Sequence, residues 1–196
     1  MDEQALVTAA RRGDVQAFNQ LVLTHQTLAY NVAYRMVRDP AVAADMTQDA
    51  FISAFRSIRR FRGGSFKAWL LRIVTNACYD HFRAHQRRPT TPLDEMLIDP
   101  NHSVIMTDHK ESLEAFAMRQ DLGQAIQRRL DQLPPDQRIT IILSDIQGLS
   151  YEEIARATAV SLGTVKSRLS RARARLRDYL QEDAELLPSR YRHTSS

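Results

Sequence analysis

A run of cations without acids lies near the end of the chain and is the part of the sequence best suited to bind a polyanion. From Arg156 to Arg177 there are seven basic residues and no acidic one. An arginine side chain can donate two hydrogen bonds to a guanine edge in the DNA major groove, and it can also neutralise phosphates. The alternative to a DNA-binding site is a plain helical hairpin whose basic face is solvated. The secondary structure that carries these cations distinguishes the two.

Two helices joined by a tight turn would present this cationic run. Ser150 and Glu153 have the spacing of a capping box, which predicts the start of a first helix, and Ser161 is the predicted cap of a second. Alanines at positions 155 and 159 would let the two helices approach closely. The expected inward stripe of the second helix is Val165, Leu169, Ala172 and Leu176. This pattern is typical of a helix-turn-helix, whose second helix enters the major groove.

The remaining positions of the second helix would face outward and are candidate DNA contacts. Those near its N-terminal half are expected to touch base edges, and these are Lys166, Ser167, Ser170 and Arg171. The others are better placed for phosphates or solvent, and these are Arg168, Arg173, Arg175 and Arg177.

A second set of polar positions follows a glycine-containing break in the first half of the chain. Gly63 and Gly64 interrupt the helical pattern, and Ser65 is the predicted cap of a long helix. One face of that helix carries Phe66, Trp69, Leu70, Ile73 and Ala77. The other side carries Arg72, Asn76, Asp80, Arg83 and Arg87.

Composition favours an all-α protein with two helical domains. The chain has 196 residues, of which 43% are hydrophobic, with only 6 glycines and 7 prolines. Residues 1–88 carry 13 basic and 7 acidic side chains, and residues 118–177 carry 11 and 6. Residues 89–117 between them carry 1 basic and 6 acidic side chains together with three prolines, which predicts a flexible acidic linker.

We expect a soluble, cytoplasmic protein, because there is no signal peptide and no long apolar run.

The chain resembles the bacterial extracytoplasmic-function (ECF) sigma factors, a family of transcription initiation factors. The segment from Leu133-Pro134 through Gly148 and the capping box to Arg173 is similar to sigma region four, and residues 45–51 (Asp-Met-Thr-Gln-Asp-Ala-Phe) resemble the Asp-Leu-Thr-Gln-Glu motif of region two. The resemblance implies that region four reads the minus-thirty-five promoter element. It also implies that Asp45, Gln48, Asp49 and Phe51 dock on core RNA polymerase, although simple helix solvation is the alternative for the two aspartates.

Residues 61–76 resemble the promoter-melting segment of the same family, where a loop takes a base flipped from the minus-ten strand. Flexible glycines, aromatic faces and cations suit single-stranded DNA, because base stacking gives roughly 1–3 kcal/mol per base. Phe66 and Trp69 have two interpretations, as core residues or as stacking platforms. The candidate minus-ten contacts are Arg62, Ser65, Lys67, Asn76, Asp80 and Arg83.

The resemblance implies a complete functional scheme. Region two would span residues 8–88, a linker 89–117 and region four 118–180, and the chain would direct promoter-specific initiation without enzymatic activity, cofactor or metal. The linker would thread polymerase channels or serve as a solvated tether. The implied partners are core RNA polymerase, promoter DNA and an anti-sigma factor that is often membrane-bound.

Three alternatives stay open on the sequence. His81 and His85 are spaced to share a metal, although no third ligand is evident. A helix-turn-helix repressor would use the second half in the same way but would not need a polymerase-docking motif. Cys78 is expected to be a buried apolar residue, with a reactive thiol sensor as the other possibility.

Overall fold

The computed structural model describes residues 2–87 and 123–182, here called the first and second halves, and confirms the all-α prediction. The first half contains α1 (Glu3–Arg11), α2 (Val15–Val37), α3 (Pro40–Ser57), a short 3₁₀ turn (Ile58–Arg60) and α4 (Phe66–Arg87). The second half contains α5 (residues 123–131), α6 (Pro135–Ile141), a π-helical segment (Ile142–Ile146), α7 (Tyr151–Thr158) and α8 (Leu162–Glu182). The predicted linker, 89–117, lies outside the described residues. Among the helices described, none combines the length and apolarity that crossing a membrane requires.

Capping side chains set the beginnings of α2, α3 and α4. The side-chain oxygens of Asp14, Asp39 and Ser65 each accept a hydrogen bond from the backbone N–H three residues later, at 3.0, 2.9 and 3.1 Å. Pro40 occupies the first turn of α3, where its missing N–H costs nothing. Each bond satisfies a backbone donor that a helix start leaves open, and the cap at Ser65 is the one predicted above.

The core of the first half forms where α2, α3 and α4 pack together, with α1 laid against α2. Leu21, Val32, Leu70 and Val74 are fully buried there. Helix α1 begins at Glu3, before residue 8, where region two is predicted to start. Its Leu6 and Val7 side chains are buried in the core of the first half.

A π-helical segment follows α6 directly. Residues Ile142–Ile146 are wound more widely than an α-helix, and Gly148 then turns the chain at a φ of +69°. The backbone N–H of Leu149 donates to the carbonyl oxygen of Leu143 at 3.0 Å, which closes this turn. Ser150 follows this turn and is the N-terminal cap of α7.

The two halves are in direct contact. Helix α4 packs against α7, and α2 packs against α6. The buried apolar side chains of the two halves belong to one continuous cluster. The structure is therefore closed, with the second half seated on the first.

Candidate nucleic-acid interface

The helix-turn-helix of the second half is held by the bonds that its sequence predicts. Ser150 Oγ accepts from the backbone N–H of Glu153 at 3.2 Å, and the Glu153 carboxylate accepts from the Ser150 N–H at 2.9 Å, which completes the capping box. Ala159 ends α7 in the left-handed region, at a φ of +55°. Ser161 Oγ then accepts from the Thr164 N–H at 3.1 Å and starts α8.

The exposed side of α8 is cationic and lies opposite its buried stripe. Val165, Leu169 and Ala172 are buried, whereas Lys166, Ser170, Arg171, Arg175 and Arg177 are exposed. Ser167 is half-buried and donates to the carbonyl oxygen of Thr164 at 3.0 Å. Lys166 and Arg171 are thus available to a ligand in the geometry that a recognition helix requires.

Arg168 is turned away from that exposed side. Its side chain is 20% exposed, and its Nε lies 3.0 Å from a carboxylate oxygen of Asp136 in α6. The guanidinium is also near the Tyr79 hydroxyl of α4, whose pKa is raised by burial and lowered in part by Arg168. Arg168 therefore lies between α8, α6 and the first half, a position that its helical spacing alone does not reveal.

Arg173 forms a two-pronged ion pair within the second half. Its Nε and Nη2 donate to the two carboxylate oxygens of Asp145 at 3.0 and 2.6 Å. These bonds lower the pKa of Asp145 and raise that of Arg173, because each charge stabilises the other. The pair ties α8 to the π-helical segment, so Arg173 already has an anionic partner.

The loop before α4 lies above an aromatic cluster. Gly63 and Gly64 have φ values of +97° and +92°, a region that residues with a Cβ rarely adopt. Phe66 is 1% exposed, and its ring centre lies 5.6 Å from that of the half-buried Trp69. Phe66 is therefore a core residue that supports the loop, and Trp69 lies at the edge of the same cluster.

The candidate minus-ten residues fall into two groups. Most are on the surface, and these are Arg62, Ser65, Asn76, Asp80 and Arg83. Asp80 and Arg83 form an exposed ion pair at 3.1 Å. Lys67 instead is half-buried and donates to the carbonyl oxygen of Gln147 in the second half at 2.5 Å. The closed arrangement therefore engages Lys67 as well as Arg168.

The candidate polymerase-docking residues lie together on one side of α3. Asp45, Gln48 and Asp49 are exposed, and Phe51 is 8% exposed beneath them. This arrangement presents acidic and amide groups to a partner with an apolar surface behind them.

An apolar groove continues this surface between α2 and α3, with a volume of about 820 Å³. Gln48 and Phe51 line it, together with three exposed apolar residues that the sequence reasoning did not assign to a site, Val15, Ile52 and Phe55. The Phe55 ring is 44% exposed and packs edge-on against that of Phe18, with ring centres 5.0 Å apart. The apolar residues of α3 at positions 52 and 55 were a signal, but the other wall of the groove comes from α2 and is formed only when the two helices pack together.

The alternative sites have little support among the described residues. No group of three or more histidine, cysteine or acidic side chains within 2–87 and 123–182 could hold a metal, and the side chain of His85 lies outside the residues whose burial is described. Cys78 is fully buried, and burial raises its thiol pKa to about 12. A thiol that is protonated and inaccessible is a poor redox sensor.

Comparison with known proteins identifies both halves. Residues 21–88 match the family model of sigma-70 region 2, and residues 123–176 match that of sigma-70 region 4. These ranges include the candidate docking residues of α3, the loop before α4, and α7 with most of α8.

Individual relatives extend the similarity over most of the chain. An ECF RNA polymerase sigma factor, SigE of Mycolicibacterium smegmatis, is 40% identical over 84% of this chain, which spans 62% of that protein's length. The RNA polymerase sigma-H factor of Pseudomonas aeruginosa is 37% identical over 91% of this chain and 94% of its own. Among solved structures, the sigma factor RpoE from Bartonella quintana in complex with the anti-sigma factor NepR superposes with a TM-score of 0.65, at 29% identity over 86% of this chain and 99% of that one.

Proposed function

We propose a division of labour along this chain, which belongs to the family of ECF RNA polymerase sigma factors. The chain directs promoter-specific transcription initiation by core RNA polymerase. Region two, taken as residues 8–88, docks on the polymerase and captures the minus-ten strand, and region four, taken as 118–180, reads the minus-thirty-five element. The exposure of Lys166, Ser170 and Arg171 opposite the buried stripe of α8 is the observation that carries this proposal.

Region four works by presenting long cationic side chains to base edges. In the proposed complex the N-terminal half of α8 enters the major groove, where Arg171 makes the sequence-specific contact. Lys166, Ser167 and Ser170 flank it, and the cations farther along α8 contribute phosphate contacts. Arg168 and Arg173 contribute only if they leave Asp136 and Asp145.

Region two works through two surfaces. The exposed acids of α3 and the adjoining apolar groove receive a basic, amphipathic segment of the polymerase. The loop around Gly63 and the outer face of α4 then hold the separated minus-ten strand, with Asn76 as a direct contact. The chain contributes sequence specificity and binding energy to strand opening and performs no covalent chemistry. It acts in the cytoplasm, where polymerase and chromosome meet.

The overall proposal is tested by mapping transcripts made by core polymerase with and without the full chain. A new set of start sites that share upstream sequences is the expected result. Binding of promoter DNA without co-purification with polymerase and without new transcripts would favour the repressor alternative. An anti-sigma factor, the partner of the similar Bartonella protein, is a further proposed ligand of this chain.

Asp49→Arg should lower the affinity for core polymerase by at least about tenfold. The substitution replaces an exposed anion with a cation on a surface that would face a basic partner, and like charges at an interface cost several kcal/mol. Affinity is measured by competition between labelled wild type and variant for core polymerase. Asp178→Arg, which reverses an exposed acid on α8, is the matched control and should bind normally. Normal binding by Asp49→Arg would remove the docking assignment.

Asn76→Ala should slow open-complex formation more than it weakens initial promoter binding. Asn76 is exposed on α4, so its loss leaves the core intact while removing a donor and an acceptor for an unpaired base. Permanganate reactivity of thymines near the start site follows strand opening. Gln20→Ala, an exposed amide on α2, is the control. Equal permanganate reactivity in the two variants would contradict the assignment.

A further inference from the structure

A group of exposed arginines on the first half has no part in the DNA-binding and docking residues predicted from the sequence. The C-terminal end of α1, the last turn of α3 and the 3₁₀ turn contribute to it. Five residues, here called the arginine patch, form the group: Arg11, Arg12, Arg56, Arg59 and Arg60. All five are exposed, and none forms an ion pair with any other residue that the structure describes.

Tertiary packing brings these arginines together. The 3₁₀ turn packs against both α1 and α3. Arg59 Nη2 lies 3.7 Å from the position that a Cβ on Gly13 would take, so this side chain reaches the turn between α1 and α2, which also carries Arg12. Along the chain the patch ends two residues before Arg62, beside the loop at Gly63. The patch therefore joins the surface of that loop.

Helix dipoles account for only part of this charge. Arg11 and Arg56 lie in the last turns of α1 and α3, where a cation stabilises the partial negative charge of a helix end. Arg12 follows α1, and the 3₁₀ turn that carries Arg59 and Arg60 has three residues, too few for a comparable dipole. Like charges gathered on one surface repel one another, so an anionic ligand would relieve a repulsion that the free chain sustains.

The charge of α3 changes sign along its length, which indicates two ligands of opposite charge. Asp45 and Asp49 are exposed and suit a basic partner, as proposed for core polymerase. Arg56 lies about two turns farther along the same helix and is also exposed. The patch would repel the basic segment that the two aspartates attract, so it faces a different and anionic ligand.

Continuity with the loop around Gly63 favours DNA over an acidic protein as that ligand. The proposed function places the separated minus-ten strand at this loop. A strand that leaves the loop toward the 3₁₀ turn would bring one phosphate per nucleotide to the patch. Arginine makes charge-assisted hydrogen bonds to phosphate oxygens, and these bonds do not depend on the identity of the base.

We propose that the arginine patch is a phosphate-binding track, which holds the backbone of the separated minus-ten strand next to the bases that the loop captures. The inference rests on the proposed function, because it takes that strand to lie at the Gly63 loop. The track adds affinity without reading sequence and opposes re-pairing of the strand. Two of its five arginines precede residue 21, where the match to sigma-70 region 2 begins, so that match alone does not assign the track.

Neutral backbone linkages test the track in the holoenzyme. Promoter bubbles with a minus-ten but no minus-thirty-five sequence carry several consecutive methylphosphonate linkages, which lack the phosphate charge, immediately upstream or downstream of the minus-ten bases. The wild-type holoenzyme should bind one of these two bubbles about tenfold more weakly than the fully charged bubble. Arg59→Gln with Arg60→Gln should weaken binding to the charged bubble by about tenfold, and the same neutral linkages should then cost little more. Contacts made by core polymerase itself are common to both holoenzymes and cancel in this comparison.

Two further double variants serve as controls. Arg128→Gln with Arg156→Gln removes two exposed arginines of the second half and should bind every bubble as the wild type does. Arg59→Lys with Arg60→Lys keeps the charge and should recover most of the affinity, because a phosphate contact needs a cation rather than a planar pair of donors. All variants should match the wild type in affinity for core polymerase and in the midpoint of unfolding.

The free full chain gives a measurement that does not need promoter recognition. Arg59→Gln with Arg60→Gln should bind a labelled single strand of thymidines about tenfold more weakly than the wild type. Wild-type affinity of this variant for the strand would overturn the track and leave the proposed function intact. A holoenzyme that does not prefer bubbles with the minus-ten sequence would instead refute the proposed function, whatever the free chain binds.

Two results in the holoenzyme would also overturn the track. One is an equal cost of the neutral linkages for the wild type and for Arg59→Gln with Arg60→Gln. The other is weaker binding of this variant to core polymerase with an unchanged dependence on the neutral linkages, which would assign the patch to an acidic protein surface.

Discussion

Replacing Arg171 with alanine should weaken binding to the cognate minus-thirty-five element by about 1–3 kcal/mol, or about 5- to 150-fold. Arg171 is exposed on α8, next to Ser170 and opposite the buried Leu169 and Ala172, so the substitution should leave the fold intact. The loss should be confined to the cognate sequence, because a bidentate pair with guanine distinguishes bases whereas a phosphate contact does not. Titration of the polymerase-bound chain with cognate and scrambled duplexes measures both.

Two companion variants separate charge from geometry at this position. Arg171→Lys keeps the charge but lacks the planar pair of donors, so it should bind scrambled DNA as the wild type does and recover only part of the lost affinity for the cognate element. Arg175→Ala removes an exposed cation farther along the same helix and should weaken both duplexes equally. An equal loss on both duplexes for Arg171→Ala would show that this residue contacts phosphate rather than base edges.

Phe66→Ala should destabilise the first half by about 3–5 kcal/mol, the cost of deleting a large aromatic side chain from a packed core. The ring is 1% exposed, and its centre lies 5.3 Å from the ring centre of His25 and 5.6 Å from that of Trp69. The resulting cavity should also loosen the loop before α4. Denaturant unfolding followed by the fluorescence of Trp69, the one tryptophan of the chain, reports this half directly.

Phe55→Ala is the matched control for that measurement, since Phe55 is 44% exposed in the groove. Its loss removes less buried apolar area, so a clearly smaller change in the free energy of unfolding is expected. Comparable losses for the two variants would mean that Phe66 supports the core no more than a partly exposed ring does.

Features set by local sequence were predictable, and those set by distant partners were not. The caps at Ser65, Ser150 and Ser161 depend on residues within three positions, and all are present. The buried stripe of α8 likewise follows from helical spacing. The groove between α2 and α3 was not foreseen, because its walls come from separate helices and only packing brings them together.

The positions of Lys67 and Arg168 illustrate the same limit. Arg168 is assigned to DNA because helical spacing turns it outward, and Lys67 because its segment resembles the promoter-melting segment of the family. The structure places each against the other half or its own neighbouring helix, where Gln147 and Asp136 accept their hydrogen bonds or charge. A long side chain can reach several partners, and helical periodicity fixes only the direction in which it starts. The proposed role of Lys67 at the promoter therefore depends on the halves coming apart, whereas that of Arg168 depends on its leaving Asp136 within the second half.

The ion pair between Arg173 and Asp145 bears on how ionic strength should govern promoter affinity. Proteins that neutralise phosphates displace condensed counterions, and the displaced number sets how steeply binding falls as salt rises. Arg173 already has a carboxylate partner at 2.6 Å, so it displaces few ions while that partner stays in place. The steepness of the salt response should thus reflect Arg175 and Arg177, the exposed cations placed for phosphates, and should be smaller than a count of all basic residues on α8 suggests.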